Sequence, residues 1–142
     1  MNAETFVRSI DKLSHIFCLQ TVSHEPVLTM AAMREVVHFP DEYDYLMFAK
    51  NLFYSDKKNK SRMWYVCAAD TTEIDLKALT KKLGCGSGNL RAASEEAMYE
   101  KLGCKKGGLN LFGLINDKEK EVVCILDKKL TEVWPYVGIH PM

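Results

Sequence analysis

Lys50 is the first residue of the chain whose setting could do chemistry. It lies in Phe48-Ala49-Lys50-Asn51-Leu52-Phe53, an apolar run interrupted by one cation and one amide. Strand alternation would place Lys50, Leu52 and Tyr54 on one face, with Ala49, Asn51 and Phe53 on the other. A lysine sharing a face with Leu52 is either an edge charge reaching water along its apolar stem or a group at the wall of a pocket. Just beyond it, Lys57, Lys58, Lys60 and Arg62 crowd a polar turn. That cluster reads as a solvated turn or as a landing strip for phosphate.

Two glycine-rich segments follow. Leu83-Gly84-Cys85-Gly86-Ser87-Gly88-Asn89-Leu90-Arg91 carries three glycines at alternate positions. These free the backbone to approach a ligand and could expose N–H groups to an anion, but a helix-to-strand turn has the same composition. No Gly-Lys-Ser/Thr closes the segment, and it follows a helical pattern rather than a strand. Phosphate-loop and dinucleotide fingerprints are therefore both excluded. Cys85 has no histidine near it in sequence and is not read as a nucleophile. The second segment, Lys105-Lys106-Gly107-Gly108-Leu109-Asn110, precedes an apolar run and reads as a turn or as backbone brought close to a ligand. The histidines His15, His24, His38 and His140 are isolated, and a lone imidazole is structural by default. No Ser-His-Asp set, paired carboxylate motif or His-Glu-x-x-His is visible, so conventional hydrolase machinery is not expected.

Elements that could position these residues are legible from periodicity. Glu4 to Leu19 carries an apolar stripe at three- and four-residue spacing and predicts a helix. Thr21–His24 is a short β-branched stretch ended by Pro26. Thr29 offers a cap for a helix Met30–Val37, and Asp41–Asp44 reads as a solvated loop. Tyr45–Tyr54 and Arg62–Ala69 predict a hairpin around the basic turn. Asp75–Leu83 predicts a helix closed by Gly84, and Ser94 caps a second one, Glu95–Leu102, closed by Gly103. The run Leu111–Ile115 and strands over Glu121–Asp127 and Val133–Ile139 complete the pattern. Hairpin strands interleaved with short helices predict an α+β single domain over residues 1–142, with a mixed, mostly antiparallel curved sheet.

Composition narrows the function. The chain has 142 residues, 19 basic and 19 acidic side chains, and 47% apolar residues. That is enough chain for a core without disulfide or metal staples, and too apolar for a disordered tail. The longest apolar runs are far too short to span a bilayer, and no charged-then-apolar leader opens the chain, so a cytoplasmic protein with no membrane contact is expected. Five scattered cysteines (Cys18, Cys67, Cys85, Cys104, Cys124) contain no Cys-x-x-Cys pair, and reduced thiols with no metal site are expected. The zero net charge argues against a general nucleic-acid coat but conceals an asymmetry. Residues 1–49 carry 3 basic and 7 acidic groups, whereas residues 50–142 carry 16 and 12.

The ordered set of segments resembles one family. Lys50-Asn51-Leu52-Phe53 with Asp56-Lys57-Lys58, then Leu83–Gly88, Arg91-Ala92-Ala93-Ser94, Gly107 before Phe112-Gly113-Leu114-Ile115-Asn116-Asp117, and Gly138-Ile139-His140-Pro141 look like the YbaK/ProX family of prolyl-tRNA-synthetase-associated editing domains. His24-Glu25-Pro26-Val27-Leu28-Thr29 resembles that family's His-Pro-Pro-x-x-Thr segment. The Lys-Asn-Leu-Phe variant looks closest to the alanine-clearing branch.

The resemblance implies hydrolysis of mischarged tRNA(Pro), most simply Ala-tRNA(Pro), without a cofactor. A Cys-tRNA(Pro) deacylase and a catalytically silent tRNA- or synthetase-binding appendage are the alternatives. It implies catalytic roles for Lys50, Asn51 and His140, and substrate contacts at Gly107, Gly108, His24 and Ser87. Lys57, Lys58, Lys60 and Arg62 would contact the tRNA. The implied partners are the tRNA(Pro) acceptor end and a prolyl-tRNA synthetase, linked covalently or acting in trans. Asn110-Leu111 stands where the family has Ser/Thr-Pro, and loss of proline's fixed φ leaves both the stiffness of that loop and the pocket volume open. Family members usually continue beyond the position of Met142, so the chain is expected to be an N-terminal piece of a longer protein such as a prolyl-tRNA synthetase, with a shortened freestanding deacylase as the alternative.

Overall fold

The apolar alternation around Lys50 does form a strand, and its hairpin partner is the best-buried element of the protein. The computed structural model describes Glu25, Val27, residues 29–37, 46–133 and 136–139. The helix expected over Glu4–Leu19, the stretch Thr21–His24, the loop Asp41–Asp44, Cys18 and all four histidines lie outside the described residues.

Strand β1 (Leu46–Asp56) pairs antiparallel with β2 (Met63–Ala69) in a register that sets Lys50 opposite Ala68 and Asn51 opposite Cys67. Every residue of β2 is buried, as befits a central strand covered on both faces. Helix α1 (Met30–Val36) starts at Thr29, whose hydroxyl accepts from the Ala32 N–H. Helix α2 (Leu76–Lys82) starts at Asp75, whose carboxylate accepts from the Lys77 and Ala78 N–H groups. Gly84, at φ +64°, then turns the chain out of α2. Strand β3 (Leu90–Ala92) pairs antiparallel with the end of β1. Helix α3 (Glu95–Leu102) has the expected Ser94 cap, two glutamates in its positive first turn and a left-handed Gly103 at its end.

The run Leu111–Ile115 forms most of a 3₁₀ helix, Leu111–Asn116. Strand β4 (Val122–Leu126) lies parallel to β2, and β5 (Tyr136–Gly138) lies parallel to the start of β1. A π-helical turn, Lys129–Val133, joins them. The fold is therefore α+β with a mixed five-stranded sheet in which β3, β1, β2 and β4 are successive neighbours.

One face of the sheet holds the core. Met47 and Phe53 from β1 join Met63, Tyr65, Cys67 and Ala69 from β2, with Leu102 of α3, Cys104, Val122 and Leu130 laid over them. Leu102 is fully buried, which contributes about 1.5–3 kcal/mol. Gly113 lets the 3₁₀ helix approach α3, since a Cβ there would lie 2.7 Å from Cys104 Sγ and 3.0 Å from the Leu102 carbonyl.

Candidate active site

Alternation along β1 sends Lys50 and Asn51 to opposite faces, and each has its own partners. Past the end of β2, the Asp70 N–H donates to the Phe48 carbonyl at 2.9 Å and the Thr72 N–H to the Ala69 carbonyl at 2.9 Å. This tight turn brings two carbonyls to Lys50. Its half-buried ammonium donates to Asp70 O at 3.2 Å and to Thr72 O. An ammonium has three donors, so one is left over. Asp70 Oδ2 is taken by Arg34 of α1, whose guanidinium also lies 5.1 Å from the centre of the Phe48 ring, while Asp70 Oδ1 is buried with no hydrogen-bond partner among the described residues. Lys50 is thus held by neutral carbonyls and pairs with no acid among the described residues.

A carboxylate behind the turn holds it in place. Asp127 Oδ2 accepts from the Thr72 hydroxyl at 2.5 Å and the Ala69 N–H at 3.2 Å, while Oδ1 accepts from the Lys129 N–H at 3.0 Å. Burial pushes the Asp127 carboxyl up, but these hydrogen bonds and the Lys129 charge outweigh it and hold the group below its usual range. Nothing in the local sequence marks Asp127, because it meets Thr72 across 55 positions of chain.

On the other face, Asn51 Oδ1 accepts from the Tyr65 hydroxyl at 2.6 Å. Burial, with the nearby Cys67, Cys104 and Cys124 sulfurs, pushes the Tyr65 phenol far up, so it stays a neutral donor. Leu109, Leu111 and Leu114 pack on this same face, which brings the Gly107–Asn110 loop to the side that carries Asn51. The loop turns through Gly107 at φ +84°, and the Gly108 N–H donates to Lys105 O at 2.9 Å. Asn110 is fully buried, and its amide donates to Gly108 O at 2.9 Å and lies 3.9 Å from Cys104 Sγ. A side-chain hydrogen bond thus closes the loop at the residue next to Leu111. Asn110 Oδ1 is buried without a partner.

The basic turn divides. Lys57, Lys58 and Lys60 are exposed, whereas Arg62 is occupied structurally. It pairs with the buried Asp56 at 3.3 Å, donates to Leu83 O at 2.7 Å and lies 5.2 Å from the centre of the Trp64 ring. Ser87 is exposed on the wall of a groove whose lining includes neither Lys50 nor Asn51 nor the Gly107–Gly108 turn.

The described cysteines are free. Cys67 is pushed up to about 11 by burial, then by Cys124 and Asp127. Cys85 is raised by burial and by Asp56, against a smaller opposing effect of Arg62, which suits a protonated thiol and not a nucleophile. Among the described residues no three His, Cys, Asp or Glu side chains are placed to hold a metal ion, and no helix is long and apolar enough to cross a membrane.

Residues 24–142 match the family model of the aminoacyl-tRNA editing domain. The chain belongs to the aminoacyl-tRNA editing domain family. The resemblance carried by Lys50-Asn51, the two glycine segments and the C-terminal Gly-Ile-His-Pro is thereby borne out. This editing domain is similar to the prolyl-tRNA editing protein ProX of Acetoanaerobium sticklandii, with 34% identity over 139 residues covering 97% of the chain and 78% of the relative. It is also similar to prolyl-tRNA synthetase associated domain-containing protein 1 of Bos taurus and of Mus musculus. Each is 37% identical over 125 residues, covering 87% of the chain and 69% or 70% of the relative.

Proposed function

We propose that this editing domain hydrolyses the ester of mischarged tRNA(Pro), with Ala-tRNA(Pro) as its substrate. The observation that carries the chemistry is the carbonyl-held ammonium of Lys50, which pairs with no acid among the described residues. A charge fixed before substrate arrives costs no reorganisation during reaction, and such groups are the main source of transition-state stabilisation in acyl transfer. The remaining Lys50 donor serves the ester carbonyl or the terminal phosphate. Water adds to the carbonyl carbon, the oxyanion collapses, and the ester C–O bond breaks to release alanine and the ribose hydroxyl. An aminoacyl ester is already activated, so positioning a water suffices without a Ser-His-Asp set.

Lys50 and Asn51 can serve one substrate despite facing apart. On the edge of β1 that β3 occupies, Ala49–Leu52 have no ladder partner among the described residues. An acceptor end lying along that open edge meets Lys50 on one face and the Asn51 amide, oriented by Tyr65, on the other. The Gly107–Gly108 backbone lines the aminoacyl pocket, with His140 and His24 as further contacts, whereas Ser87 belongs to a separate groove. Lys57, Lys58 and Lys60 approach the stem, with Arg62 bracing their turn.

Selection follows from size. A pocket shaped for proline cannot strongly exclude alanine, since each missing methylene is worth only about 1–3 kcal/mol, so a second, smaller site completes the discrimination. The partners are then the acceptor end of tRNA(Pro) and a prolyl-tRNA synthetase. The test is release of alanine, cysteine and proline from charged tRNA(Pro). Preferential alanine release supports the reading. Preferential cysteine release moves the domain to the cysteine-clearing branch, and no release of any amino acid makes it a silent appendage.

A further inference from the structure

A groove of about 640 Å³ opens between α2 and the glycine loop, on a part of the molecule the ester chemistry does not use. Its walls carry Lys77 and Lys81 from α2, Arg91 from β3, and Cys85, Ser87 and Gly88 from the loop. Lys77 and Lys81 stand four residues apart, on one face of the helix, where like charges repel. Lys81 lies in the last turn, where the helix dipole favours a cation, but Lys77 has no such role. None of the three cations forms an ion pair with a described carboxylate. Two acids of the surrounding elements are committed elsewhere: Asp75 caps α2, and Asp56 holds Arg62.

The glycine loop on the groove's wall is tied to the basic turn. The Lys57 N–H donates to Asn89 O at 2.8 Å, and Arg62 donates to Leu83 O at 2.7 Å, so the β1–β2 turn is stapled to both ends of the glycine loop. Lys57, Lys58 and Lys60 thus flank the same loop whose other side faces Lys77, Lys81 and Arg91. The result is one band of cations drawn from three separate stretches of chain, with a concave centre.

We propose that this groove is a second RNA-contact surface, which takes the sugar-phosphate backbone of the tRNA stem and is separate from the site around Lys50. The inference rests on the editing reading for the identity of the polyanion. Phosphate contacts of this kind orient a substrate without reading its bases, and their contribution falls steeply with salt.

The test is a Lys77→Gln/Lys81→Gln/Arg91→Gln variant, with Lys118→Gln/Lys128→Gln as a control that removes cations outside the groove. Fluorescence anisotropy with uncharged tRNA(Pro) is measured from low to high salt. The groove variant is expected to bind about tenfold more weakly at low salt, with a slope of log affinity against log salt shallower by about 2, while the control matches wild type. A parallel assay follows alanine release from full-length Ala-tRNA(Pro) and from an alanylated trinucleotide acceptor end that lacks the stem. A loss confined to the full-length substrate supports the groove. Unchanged affinity and slope in a variant with wild-type circular dichroism overturn it, and leave the band as solvated surface or as a site for an acidic protein. If wild type releases no amino acid but its tRNA affinity still depends on the three cations, the editing reading fails and the groove stands.

Discussion

The Lys50 ammonium donates to the backbone carbonyl of Thr72, 22 residues further along the chain, and so ties the middle of β1 to the turn that follows β2. This contact, with the one to the Asp70 carbonyl, sets where the lysine head group lies. Lys50→Met keeps the apolar stem and removes the charge. It should lower single-turnover alanine release by about 10²–10³-fold, the cost of losing one preorganised electrostatic group. Stability should fall by only about 1 kcal/mol, because two part-buried carbonyls lose a donor. A Lys50→Met protein that melts normally and deacylates at the wild-type rate would remove Lys50 from the mechanism.

Asp127 stands behind that contact and makes it pH-sensitive. Its carboxyl lies below the usual range in the folded protein, so its contribution is complete above the unfolded value of about 3.9 and is lost as pH falls through the folded value. Urea unfolding at pH 7 should find Asp127→Asn less stable by about 1 kcal/mol, a modest figure because the side chain is half-exposed. The difference from wild type should shrink steadily below about pH 4. A constant difference down to acid pH would mean that Asp127 acts through shape and not charge.

Asn110 closes the loop that bears Gly107 and Gly108. Asn110→Ala leaves the Gly108 carbonyl without its donor and opens a small void, at a cost of about 1–3 kcal/mol. If the loop lines a size-selecting pocket, the same change should narrow the preference for alanine over proline in the release assay. A destabilised variant with unaltered selectivity would make the Asn110 bond purely structural.

Two glycines should respond differently to the same methyl group. Gly113→Ala drives a Cβ against Cys104 Sγ and the Leu102 carbonyl, where backbone cannot yield, and should cost about 1–3 kcal/mol. Gly107→Ala meets nothing within 4 Å, so only its left-handed backbone is strained, at a cost of about 1 kcal/mol. Paired urea denaturation curves check the order, and a larger loss at Gly107 would contradict the packing described for the 3₁₀ helix.

Local elements were legible wherever a local signal sets them. The caps Thr29, Asp75 and Ser94, the terminal Gly84 and Gly103, and the hairpin alternation all act within a few residues. The apolar run Leu111–Ile115 was ambiguous for the opposite reason. Five apolar or small residues suit a strand as well as a short helix, and contact with α3 through Gly113 decided between them. The parallel partners of β1 and β2 come from distant chain, where no turn signal records direction.

The site divides in the same way. Residue types and order alone identified the family and singled out Lys50, Asn51 and the glycine segments, because those features are chemical and lie close together in the chain. Alternation also put Lys50 and Asn51 on opposite faces. Only the tertiary structure decided which groups hold them. Thr72 and Asp127 behind Lys50, Tyr65 beside Asn51, and Asp56 with Leu83 around Arg62 all meet across long stretches of chain. The opening charge asymmetry marked residues 50–142 as the basic part, but a sum along the chain carries no position in space. Packing α2 and the glycine loop against the β1–β2 turn is what gathers those cations into one band.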